Sequence, residues 1–384
     1  MSSRQVVVAA LAALATLLFA LPGQAAPSTG SERYIVVLSD SVAKPGTVAT
    51  EQGRRVGAPV GTIFRHALKG YVATLNASQA AALRADARVA FIEPDAVIQA
   101  DTTQTGATWG LDRIDQRNRP LSGTYSYTNS GAGVTAYIID TGIRFSHSEF
   151  GGRASSGFDA VDGGSADDCN GHGTHVAGTV GGSTYGVAKE VNLVAVRVLN
   201  CSGSGTTSGV IAGIDWVTGN HAAGQPAVAN MSLGGSASTA LDNAVRNSIA
   251  DGVSYAIAAG NGNFVGIAQD ACKTSPARVA EAMTISATDS SDRKASWANY
   301  GKCVDWFAPG VSITSAWYTS DTATNTISGT SMATPHTTGV AALYLQGDPG
   351  ATPATVRTAL FDLTTKGIVT SSKTTNNHLL FTSF

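Results

Sequence analysis

Short apolar runs that end in turn residues, separated by helix-length segments, constrain this chain more than any other feature. "GVTAYIID", "VNLVAVRVL", "AVANMSL", "GVSYAIAAG" and "AMTISAT" follow one another from Gly133 onward and are rich in Val, Ile and Ala. Among them, "TSGVIAGIDWVTGNHA" and "STALDNAVRNSIADG" carry apolar residues at helical spacing. Strands alternating with helices predict an α/β fold, a doubly wound and mostly parallel sheet with helices on both faces. Ligands of such sheets lie outside the carboxyl ends of the strands, so polar residues just past a strand are the first functional candidates.

Residues 33–98 read differently, as a small α+β unit of ferredoxin-like type. "RYIVVLSD" is a short apolar strand, "KGYVATLN" alternates, "SQAAALRAD" opens with a serine cap on an alanine-rich helix, and "VAFIEPDAVIQA" returns to strand. "DTTQTGAT" after it is polar and turn-rich, which suits a linker with a cut site. At the start of the chain Arg4 precedes an apolar run ending at Pro22 and Gly23, the layout of a secretory signal peptide with cleavage expected after Ala25. That run is shorter than the ~20 residues a membrane span needs. The expected division is therefore signal peptide 1–25, a small domain 26–101 and a large domain 102–384, with no membrane association once the signal is removed.

Charged residues make up 14% of the chain and the formal net charge is -2, so neither a basic stripe for nucleic acid nor an acidic tail for a basic partner is present. Export makes disulfides permissible for the four cysteines, Cys169, Cys201, Cys272 and Cys303. Three pairings are possible. The sequential one, Cys169 with Cys201 and Cys272 with Cys303, closes two loops of about thirty residues, each contributing roughly 3 to 4 kcal/mol on chain-entropy grounds.

Three segments carry chemistry. "YIIDTG" ends its strand on Asp140, "NGHGTHVAGT" places His172 among glycines at a helix start, and "SGTSMATPH" surrounds Ser331 with small residues. A serine hydroxyl becomes a useful nucleophile only when a base takes its proton, and the base needs a carboxylate to fix its tautomer. Unpaired N–H groups at a helix start favour a developing oxyanion, so the Ser331 N–H is a donor candidate. Pro335 suits the first turn of that helix, where a missing N–H costs little. His172 and His175 form an HxxH pair, but no Glu follows the first histidine as a zincin motif requires, and His175 reads as a packed helix residue. An α/β-hydrolase esterase would read GxSxG with the serine first in the chain, whereas here it comes last.

These three blocks resemble those of the subtilisin-like serine proteases, peptidase family S8, and "WGLDRID", "YGVAK", "NMSLGG" and "SPARVAEA" bring the chain closer to the proteinase K subfamily. The likeness runs from about Trp109 nearly to the C-terminus, and residues 33–98 resemble the I9-type inhibitor propeptide of the same enzymes. The resemblance implies a secreted, monomeric serine endopeptidase with Asp140, His172 and Ser331 as its triad, and Asn261 as a side-chain oxyanion donor beside the Ser331 N–H. Protein and peptide substrates would run between Gly203–Ser204–Gly205 and Ser232–Leu233–Gly234. With Ala258–Ala259–Gly260 the latter would line a pocket with uncharged walls, suited to apolar or aromatic residues before the cut. The propeptide would act as folding aid and intramolecular inhibitor, removed by the enzyme itself near Thr102. A catalytically silent protease-like binding protein is the alternative.

Structural Ca²⁺ is expected as well, with no catalytic cofactor. "LDRIDQ" supplies Asp112, Asp115 and Gln116, oxygen ligands of the kind calcium prefers, and related proteases add backbone oxygens near Ser122 and Thr124. A second site of the proteinase K type would use Asp305 with the carbonyls of Ala280 and Ala282. Two departures from the family stand out. "GNGNFVGIAQDACKTSPA" is long for its loop, which could move Cys272 or alter the pocket wall. Thr337 and Thr338 replace the usual valine and alanine, adding hydroxyls that can bond back to the preceding turn.

Overall fold

The structure is a computed structural model that describes residues 31–95, 102–263 and 265–384. The expected signal peptide and the residues just before Thr102 lie outside that range. The chain divides into two compact units, Met1–Ile98 and Gln99–Phe384.

The first unit follows strand, helix, strand, strand, helix, strand. Its antiparallel sheet runs Val60–Phe64, Gly70–Leu75, Glu32–Leu38, Val89–Pro94 across its width. That order is the ferredoxin-like one. The helix Ala77–Arg84 is capped by Asn76 and not by a serine: Asn76 accepts from the Gln79 N–H while Gln79 Oε1 accepts from the Asn76 N–H, a complete capping box. The helix Pro45–Val56 and the strand Val60–Phe64 were not read from the sequence: the helix buries Ala49, Gln52 and Gly53, none of them large and apolar, and the strand is five residues long with none fully buried.

The second unit is built on a seven-stranded parallel sheet. Its order is Trp306–Pro309, Met283–Thr288, Ser254–Ala258, Ala227–Met231, Thr135–Asp140, Asn192–Arg197, Ala154–Asp159. Alternation along each strand feeds two cores. Ala136 and Ile138 face the helices His172–Gly181 and Thr330–Gly347, while Tyr137 and Ile139 face Thr207–Asn220 and Thr239–Asp251. Two sheet strands carry no legible signal. Ala154–Asp159 reads "ASSGFD", and its Gly157 leaves room for Trp216 Cη2, which an added Cβ would meet at 2.7 Å; Trp306–Pro309 is only four residues long. Chain order reverses direction between Thr135–Asp140 and Ala227–Met231, so the crevice past their carboxyl ends is where a ligand belongs.

Two of the buried histidines bond backbone carbonyls. His175 bonds the Ile313 carbonyl through Nε2 at 3.0 Å and packs edge-on to Trp317; His336 bonds the Met332 carbonyl through Nδ1 at 2.9 Å. Burial pushes both down to about 4. Unfolding restores the ordinary 6.5, so between pH 6.5 and about 4 the unfolded chain binds more protons than the folded one. The stability these neutral histidines confer is complete above pH 6.5 and drains away as pH falls to about 4, by about 3 kcal/mol for each. Denaturant titrations at pH 7 and pH 4 should show this loss. A His336→Gln variant whose acid loss equals that of the wild type would contradict the assignment.

Candidate active site

Asp140 ends its strand fully buried, and His172 opens the helix His172–Gly181 on the far side of the turn. Gly171 caps that helix at φ +109°, where an added Cβ would also strike Trp317 at 2.6 Å, so the position requires glycine. His172 Nδ1 lies 2.7 Å from Asp140 Oδ1, which also accepts the Thr141 N–H at 2.8 Å. Burial pushes the imidazolium pKa of His172 down. The Asp140 charge and hydrogen bond, with the Asp168 charge behind them, outweigh burial and raise it above the usual 6.5.

Asp168 is a residue that sequence reasoning missed. Its two oxygens accept from Thr141 Oγ1, the N–H groups of Asn170, Gly171 and Thr174, and Thr174 Oγ1, which fastens the helix start carrying His172 to the strand end carrying Asp140. A carboxylate at a helix N-terminus is also favoured by the exposed N–H dipoles.

Ser331 is the second residue of the helix Thr330–Gly347, so its N–H has no acceptor inside the helix. Its hydroxyl donates to the Ser232 carbonyl at 3.0 Å. The side chain of Asn261 is held by its oxygen, which accepts from the Thr330 N–H at 2.8 Å and Thr330 Oγ1 at 2.9 Å. That leaves the Asn261 amide nitrogen as the free end. Thr330 is the second residue missed: a threonine before a serine has no distinctive local signature.

A cavity of about 580 Å³ is lined by His172, by Gly203–Gly205 and by Ser232–Ser236; a neighbouring one of about 550 Å³ is lined by Ser232–Ala237, Ala258–Gly262, Thr330 and Ser331. The predicted substrate segments thus line the cavities that hold His172 and Ser331, with Asp140 fully buried and bonded to His172. Their walls are uncharged with one exception, since Lys273 adds an ammonium-bearing side chain to the second cavity.

The Subtilase family profile matches residues 131–380, and the Peptidase inhibitor I9 profile matches residues 33–101. The chain is a subtilase. An extracellular serine proteinase of Thermus sp. (strain Rt41A) is 59% identical over 85% of this chain and 79% of its own length. Alkaline serine exoprotease A of Vibrio alginolyticus is 55% identical over 84% of this chain and 60% of its own length. The crystal structure of a cold adapted subtilisin-like serine proteinase superposes with a TM-score of 0.69 at 58% identity, covering 72% of this chain and 98% of that one. The subtilase is accordingly a serine protease with an I9 propeptide domain.

Both disulfides of this subtilase pair sequentially, Cys169 with Cys201 and Cys272 with Cys303. The long loop does not displace Cys272, because Asn299 ties both its ends: Asn299 Oδ1 accepts the N–H groups of Gly262 and Gln269, while Nδ2 donates to the Ala259 carbonyl.

The two expected calcium sites differ. Asp112 accepts from the Ser122 N–H at 3.0 Å, Ser122 Oγ at 2.9 Å and the Gly123 N–H at 2.6 Å; Gln116 Oε1 also accepts the Ser122 N–H, and Thr124 Oγ1 bonds Ser122 Oγ. Asp115 accepts the Ser126 N–H through Oδ2, but its Oδ1 is buried with no partner among the described residues, and burial beside Asp112 raises its carboxyl to about 6. An unpartnered carboxylate oxygen next to a second carboxylate fits a hard cation. At the other site a guanidinium takes the cation's place. Arg357 Nη2 donates to Asp305 Oδ1 and Arg357 Nε to the Ala282 carbonyl, while the Thr284 N–H occupies Asp305 Oδ2. Asp305, Ala280 and Ala282 therefore do not fit a calcium cage in this arrangement, because Arg357 already neutralises Asp305 and donates to the Ala282 carbonyl.

Proposed function

We propose that this subtilase is a secreted endopeptidase that cleaves peptide bonds through Asp140, His172 and Ser331. The reading rests on one observation above all: a 2.7 Å carboxylate–imidazole bond at the sheet's switch point, with a serine hydroxyl and a clamped asparagine amide on the adjoining cavity wall. The peptide lies as an added strand between Gly203–Gly205 and Ser232–Gly234, so backbone bonds supply affinity and alternate side chains enter pockets. Rotation of the Ser331 hydroxyl away from the Ser232 carbonyl brings it to His172 Nε2, which takes its proton as Oγ attacks the scissile carbonyl carbon. The tetrahedral oxyanion is held by the Ser331 N–H and Asn261 Nδ2. Collapse expels the amine, which receives the proton from His172, and water then releases the acyl group by the same route.

Residues 102–384 form the mature catalytic chain in this reading, cut free near Thr102 by the enzyme itself, and the preferred residue before the cut is apolar or aromatic. The functional test is casein hydrolysis by wild type beside Ser331→Ala, each with and without a serine-directed inhibitor. Activity that survives both the substitution and the inhibitor would overturn the reading.

Calcium is assigned to Asp112, Asp115 and Gln116, with oxygens of Ser122 and Thr124 at hand. A cation there neutralises two carboxylates and anchors the segment Trp109–Tyr127; the chemistry needs nothing from it. At free calcium 100-fold above Kd, binding adds about 2.7 kcal/mol to stability. Removing calcium with a chelator should therefore lower the unfolding midpoint, and Asp115→Asn should abolish most of that sensitivity. A midpoint indifferent to chelator removes calcium from this segment.

A further inference from the structure

Pro335 does not sit in the first turn of its helix. The helix begins at Thr330, so Pro335 falls in the second turn, where its missing N–H should have bonded the carbonyl four residues back. That carbonyl belongs to Ser331, which is only 9% exposed. The nucleophile's own C=O is thus orphaned by the helix, and a buried carbonyl without a donor is costly.

The missing donor comes from across the fold. Ser232 Oγ donates to the Ser331 carbonyl at 2.8 Å, Asn230 Nδ2 donates to Ser232 Oγ at 2.8 Å, and Thr338 Oγ1 donates to Asn230 Oδ1 at 2.8 Å. Asn230 and Thr338 are fully buried and Ser232 nearly so. The direction of each bond is forced. A carbonyl only accepts, so Ser232 must spend its one hydroxyl proton on Ser331; it can then only accept from Asn230, whose NH₂ is a donor. The oxygen of that amide is left needing a proton, and Thr338 supplies it. Thr338 also lies 3.4 Å from the Thr334 carbonyl, the back-bond expected of a helical threonine, but the shorter contact is to Asn230.

We infer that Thr338, Asn230 and Ser232 form a relay that replaces the helix hydrogen bond Pro335 removes, and that Thr338 is a positioning residue for the nucleophile. The inference rests on Ser331 being that nucleophile. Fixing the Ser331 carbonyl fixes the rotation of its peptide group against the strand Ala227–Met231, and with it the direction of the Ser331 side chain. Without the Thr338 hydroxyl, the Asn230 amide can turn over and offer its oxygen to Ser232, drawing the Ser232 proton away from Ser331.

Thr338→Val keeps the shape and deletes the proton. Rates are taken per active site, counted with an irreversible serine-directed probe, so that misfolded protein does not enter. The expected result is a fall in kcat of about 10-fold with KM and the pH midpoint unchanged, and recovery to within about twofold in Thr338→Ser. Pro335→Ala restores the helix donor, so adding Thr338→Val to it should cost less than about threefold. Equal losses in both backgrounds, or a Thr338→Val kcat within twofold of wild type, would overturn the relay. If valine prevents folding, Thr338→Ala makes the same comparison. Wild-type hydrolysis that does not depend on Ser331 would instead remove the protease reading beneath it.

Discussion

Replacing Ser331 with alanine should lower kcat on a peptide substrate by about 10⁶-fold while leaving KM within a few-fold of wild type. Among the described residues the side chain makes one hydrogen bond, to the Ser232 carbonyl, so its removal costs little stability and leaves the cavity walls intact. The Ser331 N–H survives the substitution, and Asn261 stays clamped by Thr330, so both oxyanion donors remain to give the residual rate. The proposed triad is expected to act as a unit. His172→Ala should cost about as much as Ser331→Ala, and the double variant no more than either. The same loss should appear in maturation: full-length Ser331→Ala accumulates uncut near Thr102 while wild type is processed. Efficient self-processing by purified Ser331→Ala, or a kcat within about 100-fold of wild type, would show that another group performs the attack.

Legibility in the sequence followed how local each signal is. Asp140 is visible because a β-branched run stops on it, His172 because glycines crowd it, and Ser331 because small residues surround it. Cavity walls at Gly203–Gly205, Ser232–Gly234 and Ala258–Gly260 were legible through the resemblance. The parallel sheet was readable in its buried strands, where Val, Ile and Ala run continuously. It was unreadable in Ala154–Asp159, whose strand character comes from pairing with Asn192–Arg197 and not from its own residues.

What stayed hidden depends on partners distant in the chain. Asp168 is an ordinary aspartate until Thr141 folds against it. Arg357 on the helix Pro353–Leu363 was not singled out in the sequence, yet it donates to Asp305, a carboxylate assigned to calcium. Thr338 looked like a helix residue bonding back to its own turn, and its shorter contact is to Asn230, 108 residues earlier. Pro335 was placed in the first turn because prolines belong there, but the small residues before it are themselves helical. For Asp168, Arg357 and Thr338 the partner that gives the side chain its role is supplied only by the fold.

Replacing Asp140 with asparagine tests the electrostatics of the site, and the expected loss is about 10⁴-fold in kcat. Asp140 Oδ1 accepts from His172 Nδ1 at 2.7 Å, which puts the imidazole proton on Nδ1 and leaves Nε2 free to take the serine proton. An asparagine that turns its NH₂ toward Nδ1 reverses the tautomer, and Nε2 then carries a proton and cannot act as the base. The pH profile separates this from simple disorder. In wild type, burial lowers the His172 pKa, but the Asp140 charge and hydrogen bond outweigh it, so kcat/KM should rise with pH through a midpoint above 6.5 as the imidazolium is neutralised. In Asp140→Asn the raising charge is gone while burial remains, so the residual activity should rise through a lower midpoint. A variant that kept the wild-type midpoint would mean that Asp140 does not set the state of His172. A shifted midpoint with most of the activity retained would mean that the asparagine oxygen alone can hold the productive tautomer, leaving Asp140 an electrostatic role without the orienting one.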